Sequence, residues 1–318
     1  MLSRVADSLY WIGRYLERAE HSIRVLDVSL NLMLERPETR PEGRSHRLMH
    51  ILMVPKILQR GEPDDLVDMM CFDVANSASI AACIGAAREN ARQVRDEISS
   101  EQWQKLNQLY HNMMEMRSEQ SYATVSDLLQ TLHDGLHLFE GVTDTTMLHG
   151  EGWHFIRAGR YMERSTAIAT LLVLYYPHAF NIPGGVIEST QYLEWVGLLR
   201  CCTAFEAFCT VYTTDITPER VLEFLLLNPL FPHSLRYSVN CLFDALSGIQ
   251  TERRRYPSDE LARRAGKLQA SLSFAQIDEI LEQDTAGYLR DVLEQSRMIQ
   301  ELIYRLYISY SVDTALAV

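Results

Sequence analysis

The sequence predicts an all-α protein, an elongated multi-helix bundle built from two pseudo-repeated halves. Three observations carry that expectation. Apolar residues recur at intervals of three and four along most of the chain, and no segment alternates with the period of two that marks a strand. Proline, glycine and asparagine are concentrated in a few short stretches between those patterns. A hexapeptide is also written twice: Gly13-Arg14-Tyr15-Leu16-Glu17-Arg18 returns as Gly159-Arg160-Tyr161-Met162-Glu163-Arg164, at one constant offset (163 − 17 = 146). This places the halves at about 1–147 and 148–318 of a single domain.

In chain order, Leu2, Val5, Leu9, Ile12, Leu16, Ala19, Ile23, Leu26 and Leu30 form the seam of a long amphipathic helix running to about Glu35. RPETRPEG follows, whose prolines and glycine suit a surface connection. Ser45 to Arg60 is a second helical pattern, and Ile80 to Ile98 another. Ser99-Ser100-Glu101-Gln102 has the form of a capping box and opens a helix through Trp103, Leu106, Leu109 and Met113. Helices follow from Thr124, Gly152 and Glu188. The stretches Tyr176 to Gly185 and Asn228 to His233 read as loops, and Thr217-Pro218 as an N-cap with proline at the first helical position. Ser273-Phe274-Ala275-Gln276 suggests a second capping box, and Asp284 to Ser311 a long closing helix.

Of the 318 residues, 47% are hydrophobic and 23% charged, the usage of a folded globular chain. A formal charge of −12 argues against nucleic-acid binding, which needs clustered Lys and Arg. The basic run Arg253-Arg254-Arg255 reads as a solvated loop or helix end. Cys71, Cys83, Cys201, Cys202, Cys209 and Cys241 lack CxxC spacing and read as reduced core residues. The start, MLSRVADSLYW, lacks the order of a secretory signal, and the apolar stretch from Leu171 to Tyr176 stops at Pro177, so a cytoplasmic protein without a membrane span is expected.

The hexapeptide supplies the chemistry. Residues three and four apart share a helix face, so Arg14, Glu17 and Arg18 can meet, as can Arg160, Glu163 and Arg164. Gly13 and Gly159 each cost about 1 kcal/mol against Ala in a helix interior, which points to close approach of another backbone or a ligand. Two readings stand side by side. One is a buried ion-pair network that fixes helix register. The other is an arginine-lined pocket for a carboxylate or phosphate, with Glu17 and Glu163 binding an amine or moving a proton. Arg88, Arg92 and Arg95 form a further basic stripe, either solvated or an anion or partner site.

Other chemistry finds less support. Di-metal bundles use Glu-x-x-His, whereas Glu17-Arg18-Ala19-Glu20-His21 is one residue too long. His46 and His50, and His133 and His137, stand four apart, but no third-ligand pattern accompanies either pair, so no metal is assigned. Cys201-Cys202 has no neighbouring His to make a thiolate. Trp11, Trp103, Trp153 and Trp195 read as core or interface anchors.

Taken together, LSRVADSLYWIGRYLERAEH (Leu2 to His21), AARENARQVRDEIS (Ala86 to Ser99) with Trp103 and Leu106-Asn107, and FIRAGRYMERS (Phe155 to Ser165) resemble the alpha-E family over essentially the whole chain. The likeness is less complete at Asn76-Ser77-Ala78-Ser79, where proline tends to follow the asparagine, and at Phe231-Pro232-His233-Ser234, where arginine is usual before the serine. The resemblance implies a helical partner of circularly permuted ATP-grasp amidoligases, often near transglutaminase-like and proteasome-like peptidases, in a system making or trimming a peptide or amide product, and the expected place for substrate or partner is the ER-motif surface. The chain has no GxxxxGK[ST] loop of its own and no cofactor is expected. The alternative is an enzyme acting on such a product with Glu17 or Glu163 in proton transfer.

Overall fold

A computed structural model describes residues 1–35, 48–52, 66–119, 123–180, 189–213, 215–253 and 259–308. Among these residues there is no strand. The first group of helices is α1 (Ser3–Glu35), α2 (Leu66–Cys71), α3 (Ile80–Gln93), α4 (Ser100–Glu119) and α5 (Val125–Thr146). The second is α6 (Glu151–Phe180), α7 (Ser189–Cys201), α8 (Phe205–Tyr212), α9 (Pro218–Leu227), α10 (Leu235–Arg253), α11 (Asp259–Phe274), α12 (Ile277–Glu282) and α13 (Thr285–Ile303). A π-helical turn, Tyr304–Ile308, continues α13. None of the described helices is long and apolar enough to cross a membrane.

Helices α1 and α6 pack on each other at the centre, and the rest are arranged around them. On one side α1 packs on α3, α3 on α4, and α4 on α5. On the other, α6 packs on α10, α10 on α11, and α11 on α13. The expected seam of α1 is buried through Leu9, Ile12, Ala19, Ile23 and Leu26, while Leu2, ahead of the helix, is exposed. A single apolar core joins both sides.

Local sequence explains most of the boundaries. The Ser99 capping box forms in both directions: Gln102 N–H donates to Ser99 Oγ at 3.0 Å, and Ser99 N–H to Gln102 Oε1 at 2.8 Å. Thr217 caps α9 ahead of Pro218. Three expectations need correction. The helix expected over Ile80 to Ile98 ends at Gln93, where Val94 leaves the helical region and its N–H turns back to Ala91 O. Ser273 opens no helix, because it sits in the last turn of α11; Gln276 caps α12 without a side-chain bond. The loop expected from Tyr176 begins later, since α6 runs through Pro177 to Phe180. RPETRPEG, most of Ser45 to Arg60, and the last residues of Asp284 to Ser311 lie outside the described residues.

The two hexapeptide glycines sit where α1 and α6 cross. A Cβ on Gly13 would stand 2.1 Å from Ile156 O and 2.9 Å from Arg160 N, and one on Gly159 would stand 2.0 Å from Tyr10 O and 3.1 Å from Arg14 N. The contact is reciprocal, because Ile156 and Arg160 follow Tyr10 and Arg14 at the hexapeptide's own offset. Backbone meets backbone here, so no side-chain rotation can make room. Gly13→Ala and Gly159→Ala are each expected to destabilise the fold by about 3 kcal/mol or more, at or beyond the upper end of ordinary overpacking. Gly141→Ala in α5, whose methyl group meets nothing within 4 Å, is expected to gain up to about 1 kcal/mol from helix propensity. Urea unfolding followed by circular dichroism distinguishes the two signs, and equal tolerance at all three positions would contradict the close crossing.

Candidate functional site

Because the backbones touch at the glycines, the charged residues one turn further on reach across to the opposite helix. Glu163 on α6 accepts from two arginines of α1: Arg14 Nε at 2.5 Å, and Arg18 Nε at 2.6 Å with its terminal nitrogen at 3.2 Å. Glu17 on α1 accepts two parallel bonds from Arg164 of α6, at 2.6 and 2.7 Å. Aromatic rings cover the guanidinium groups. Arg14 lies 5.2 Å from the Trp11 ring and 5.8 Å from Tyr10, Arg18 5.8 Å from Tyr15, and Arg164 5.5 Å from Tyr161. Both carboxylates are buried, Glu17 2% exposed and Glu163 1%, while Arg18 is partly exposed.

Of the residues singled out in the sequence, Arg14, Glu17, Arg18, Glu163 and Arg164 come together. Arg160 does not join them directly; it pairs with Glu140 of α5. Arg88 and Arg92 have partners of their own, Arg88 donating to Asn107 at 2.8 Å beside the Tyr110 ring, and Arg92 to Glu89 at 3.0 Å. The sequence reading missed Glu20 and Arg24, which pair with each other four residues apart and extend the cluster along α1. Glu20 also lies 3.9 Å from Arg164 and 3.6 Å from His137 of α5. Its place three residues after Glu17 puts it on the same face, which is the signal that could have found it.

The two hexapeptides are therefore not electrically equivalent. Where α1 has Glu20 and Arg24, α6 has Thr166 and Thr170 at the same offset, and both hydroxyls return to carbonyls of their own helix at 2.8 Å. Burial resists the charge on Glu163, yet Arg14 and Arg18 bring its carboxyl down to about 2 from an ordinary 4.5. Burial resists the charge on Glu20 as well, and Arg24, His137 and Arg164 hold it well below the carboxylate range. On Glu17 burial prevails and its carboxyl is raised: Arg164 pulls against the rise, but Glu20 adds to it.

The loops where the family likeness is less complete are locally satisfied. Asn76 is fully buried, its amide nitrogen bonding Met69 O at 3.1 Å and its oxygen accepting from Ala78 N–H, while Ser79 caps α3. Ser234 accepts from Tyr237 N–H and donates to Asn228 O, and His233 is held uncharged by burial together with Arg164 and Arg24. The cysteines among the described residues are free thiols, and burial pushes Cys71, Cys83 and Cys202 up to about 12, so none is poised as a thiolate.

Residues 1–308 match the Alpha-E family, described as a predicted alpha-helical domain with a conserved ER motif. The chain belongs to the Alpha-E family. Curated relatives include an uncharacterized protein of Mycobacterium bovis and one of Mycobacterium tuberculosis, each 26% identical over 267 residues. A further uncharacterized M. tuberculosis protein is 25% identical over the same length. Each alignment covers 75% of this chain but 29% of the relative, so the Alpha-E chain spans under a third of those proteins' length. No solved structure matches.

The ER glutamates make acid stability testable. Glu163, with its depressed carboxyl, contributes stability that is complete above its unfolded value near 4.5 and is lost as pH falls toward about 2, and Glu20, held well below the carboxylate range, contributes in the same direction. Glu17, raised, acts in the opposite direction and softens the loss. Glu163→Gln is expected to cost about 3–5 kcal/mol at pH 7, because it leaves Arg14 and Arg18 facing a neutral amide, and to flatten the decline in melting temperature between pH 5 and 2. Melting curves across that range check both effects; an unchanged acid limb would remove Glu163 as its cause.

Proposed function

We propose that the paired ER motifs are a structural clasp, and that this Alpha-E chain is an auxiliary helical module working in the cytoplasm with an ATP-grasp amidoligase. In this reading the two motif helices belong to repeated halves, about 1–147 and 148–318, and the surrounding helices present substrate or dock the ligase. The burial of Glu17 and Glu163 at 2% and 1%, each closed by forked guanidinium bonds, is the observation that carries the clasp. Neither residue lines the cavities formed beside Arg24, Glu140 or Glu151, where a substrate has room. The partner rests on the family resemblance; the chain carries no GxxxxGK[ST] loop of its own. A transglutaminase-like or proteasome-like peptidase of the same system is the further partner in view.

One observation favours a catalytic second reading. Glu17 and Glu163 occupy equivalent places, yet one carboxyl is raised and the other held at about 2, the kind of divergence that separates a proton carrier from a fixed charge.

The isolated chain is expected to leave ATP intact, and to co-elute on size exclusion with a circularly permuted ATP-grasp protein from the same organism. ATP turnover by the pure chain that disappears on mutating this chain would overturn the auxiliary role, as would failure to associate with, or alter the product yield of, the ligase. Glu17→Gln separates the two readings. The clasp predicts that activity in the reconstituted system follows the folded fraction, whereas proton transfer predicts a folded variant at least about 100-fold slower.

A further inference from the structure

On helix α5, His133 and His137 stand four residues apart, and their rings face each other with centroids 4.1 Å apart. Glu20 of α1 completes a trio. One possible ligand atom from each of the three residues lies within 4.8 Å of the others, and His137 Nε2 is 3.6 Å from Glu20 Oε1. Two imidazoles and one carboxylate, with the imidazoles four apart on a helix, form a ligand set suited to zinc and similar ions. Around a tetrahedral zinc with bonds near 2.0–2.1 Å, neighbouring ligand atoms lie about 3.3 Å apart, so the His137–Glu20 edge is nearly at that length. The rest of the contraction falls to side-chain rotation, for which half-exposed His137 has room.

An ion pair between protonated His137 and Glu20 at 3.6 Å explains those two residues without a metal. It does not explain His133, whose Nε2 is buried without a hydrogen-bond partner. His133 also forms part of the wall of a cavity of about 620 Å³ that includes Arg24, Asp27, Gln130 and Arg200, which gives an ion a route in and leaves space for a fourth ligand. The opposing charges are Arg24 and Arg164. Arg164 is already engaged in its forked pair with Glu17, and Arg24 has a second acceptor in Cys201 O at 3.3 Å that can hold it when Glu20 turns to an ion. Asp134 acts on His133, and Glu140 on His137, with negative charge from the rim.

We propose that Glu20, His133 and His137 bind a divalent transition metal of the zinc type, with one coordination position left for water or a ligand from the adjacent cavity. The site is independent of the ER clasp reading and of any ligase partner. Only the first half carries its acid, because Thr166 stands where the second hexapeptide would place a counterpart of Glu20.

The test is calorimetric titration of the chelator-stripped full chain with Zn²⁺, and optical titration with Co²⁺. The expected result is one equivalent bound in the micromolar range or tighter, with the intense visible absorption of four-coordinate Co²⁺. His133→Ala and His137→Ala should each weaken binding by more than about 100-fold, beyond what loss of an outer-shell contact costs, while His46→Ala/His50→Ala leaves it unchanged. Circular dichroism checks that the variants stay helical. No saturable binding by the wild type, binding that survives in His133→Ala and His137→Ala, or binding lost only in the His46/His50 variant would each overturn the proposal. The wild-type Co²⁺ spectrum decides without any variant, since weak octahedral absorption would also overturn it.

Discussion

The closeness of α1 and α6 is the constraint on which the rest of this molecule depends. At Gly13 and Gly159 the facing backbones lie where a Cβ would otherwise be, so helix position is set by main-chain contact. That proximity carries Glu17 and Glu163 into a volume without water, where a lone carboxylate is too costly to keep. The forked arginine pairs answer that cost, and they are selective, because only one register of α1 on α6 lets every guanidinium find its carboxylate. Glycine and ion pair are thus one device: the first brings the helices together and the second fixes how they are aligned.

The device is reciprocal at its centre and unequal at its edges. Glu163 has two arginines, whereas Glu17 shares its surroundings with a second acid, Glu20. Arg160, which by position answers to Arg14, turns away to Glu140. The charge left over on the α1 side runs outward through Glu20 and Arg24 to the histidines of α5 and the cavity beside them. A buried lock therefore grades into an accessible polar site, and it does so on one side of the crossing.

This asymmetry also separates a buried cluster from a more exposed one. The residues Glu17, Glu163, Arg14 and Arg164 at the crossing are buried, with aromatic rings against the two guanidinium groups. Those around His133 and His137 keep solvent access and incomplete hydrogen bonding, which are the conditions for taking a ligand.

The helical class, the seam from Leu9 to Leu26, the Ser99 and Thr217 caps and the doubling of the hexapeptide were legible in the sequence, because each depends on local spacing: 3.6-residue periodicity, cap chemistry and a repeated string. The boundaries at Gln93 and Phe180 were not, because a helix end is decided by what its last turn packs against as well as by its own residues. Even the choice between a pocket and a clasp stayed open, since the same glutamates and arginines in the same order serve either, and only burial separates them. Arg160 with Glu140, and Glu20 with His133 and His137, belong wholly to the tertiary structure. Arg160 meets Glu140 from the next helix in the chain, and Glu20 meets His133 and His137 through the packing of α5 against α1; no spacing within one segment records a distance between two.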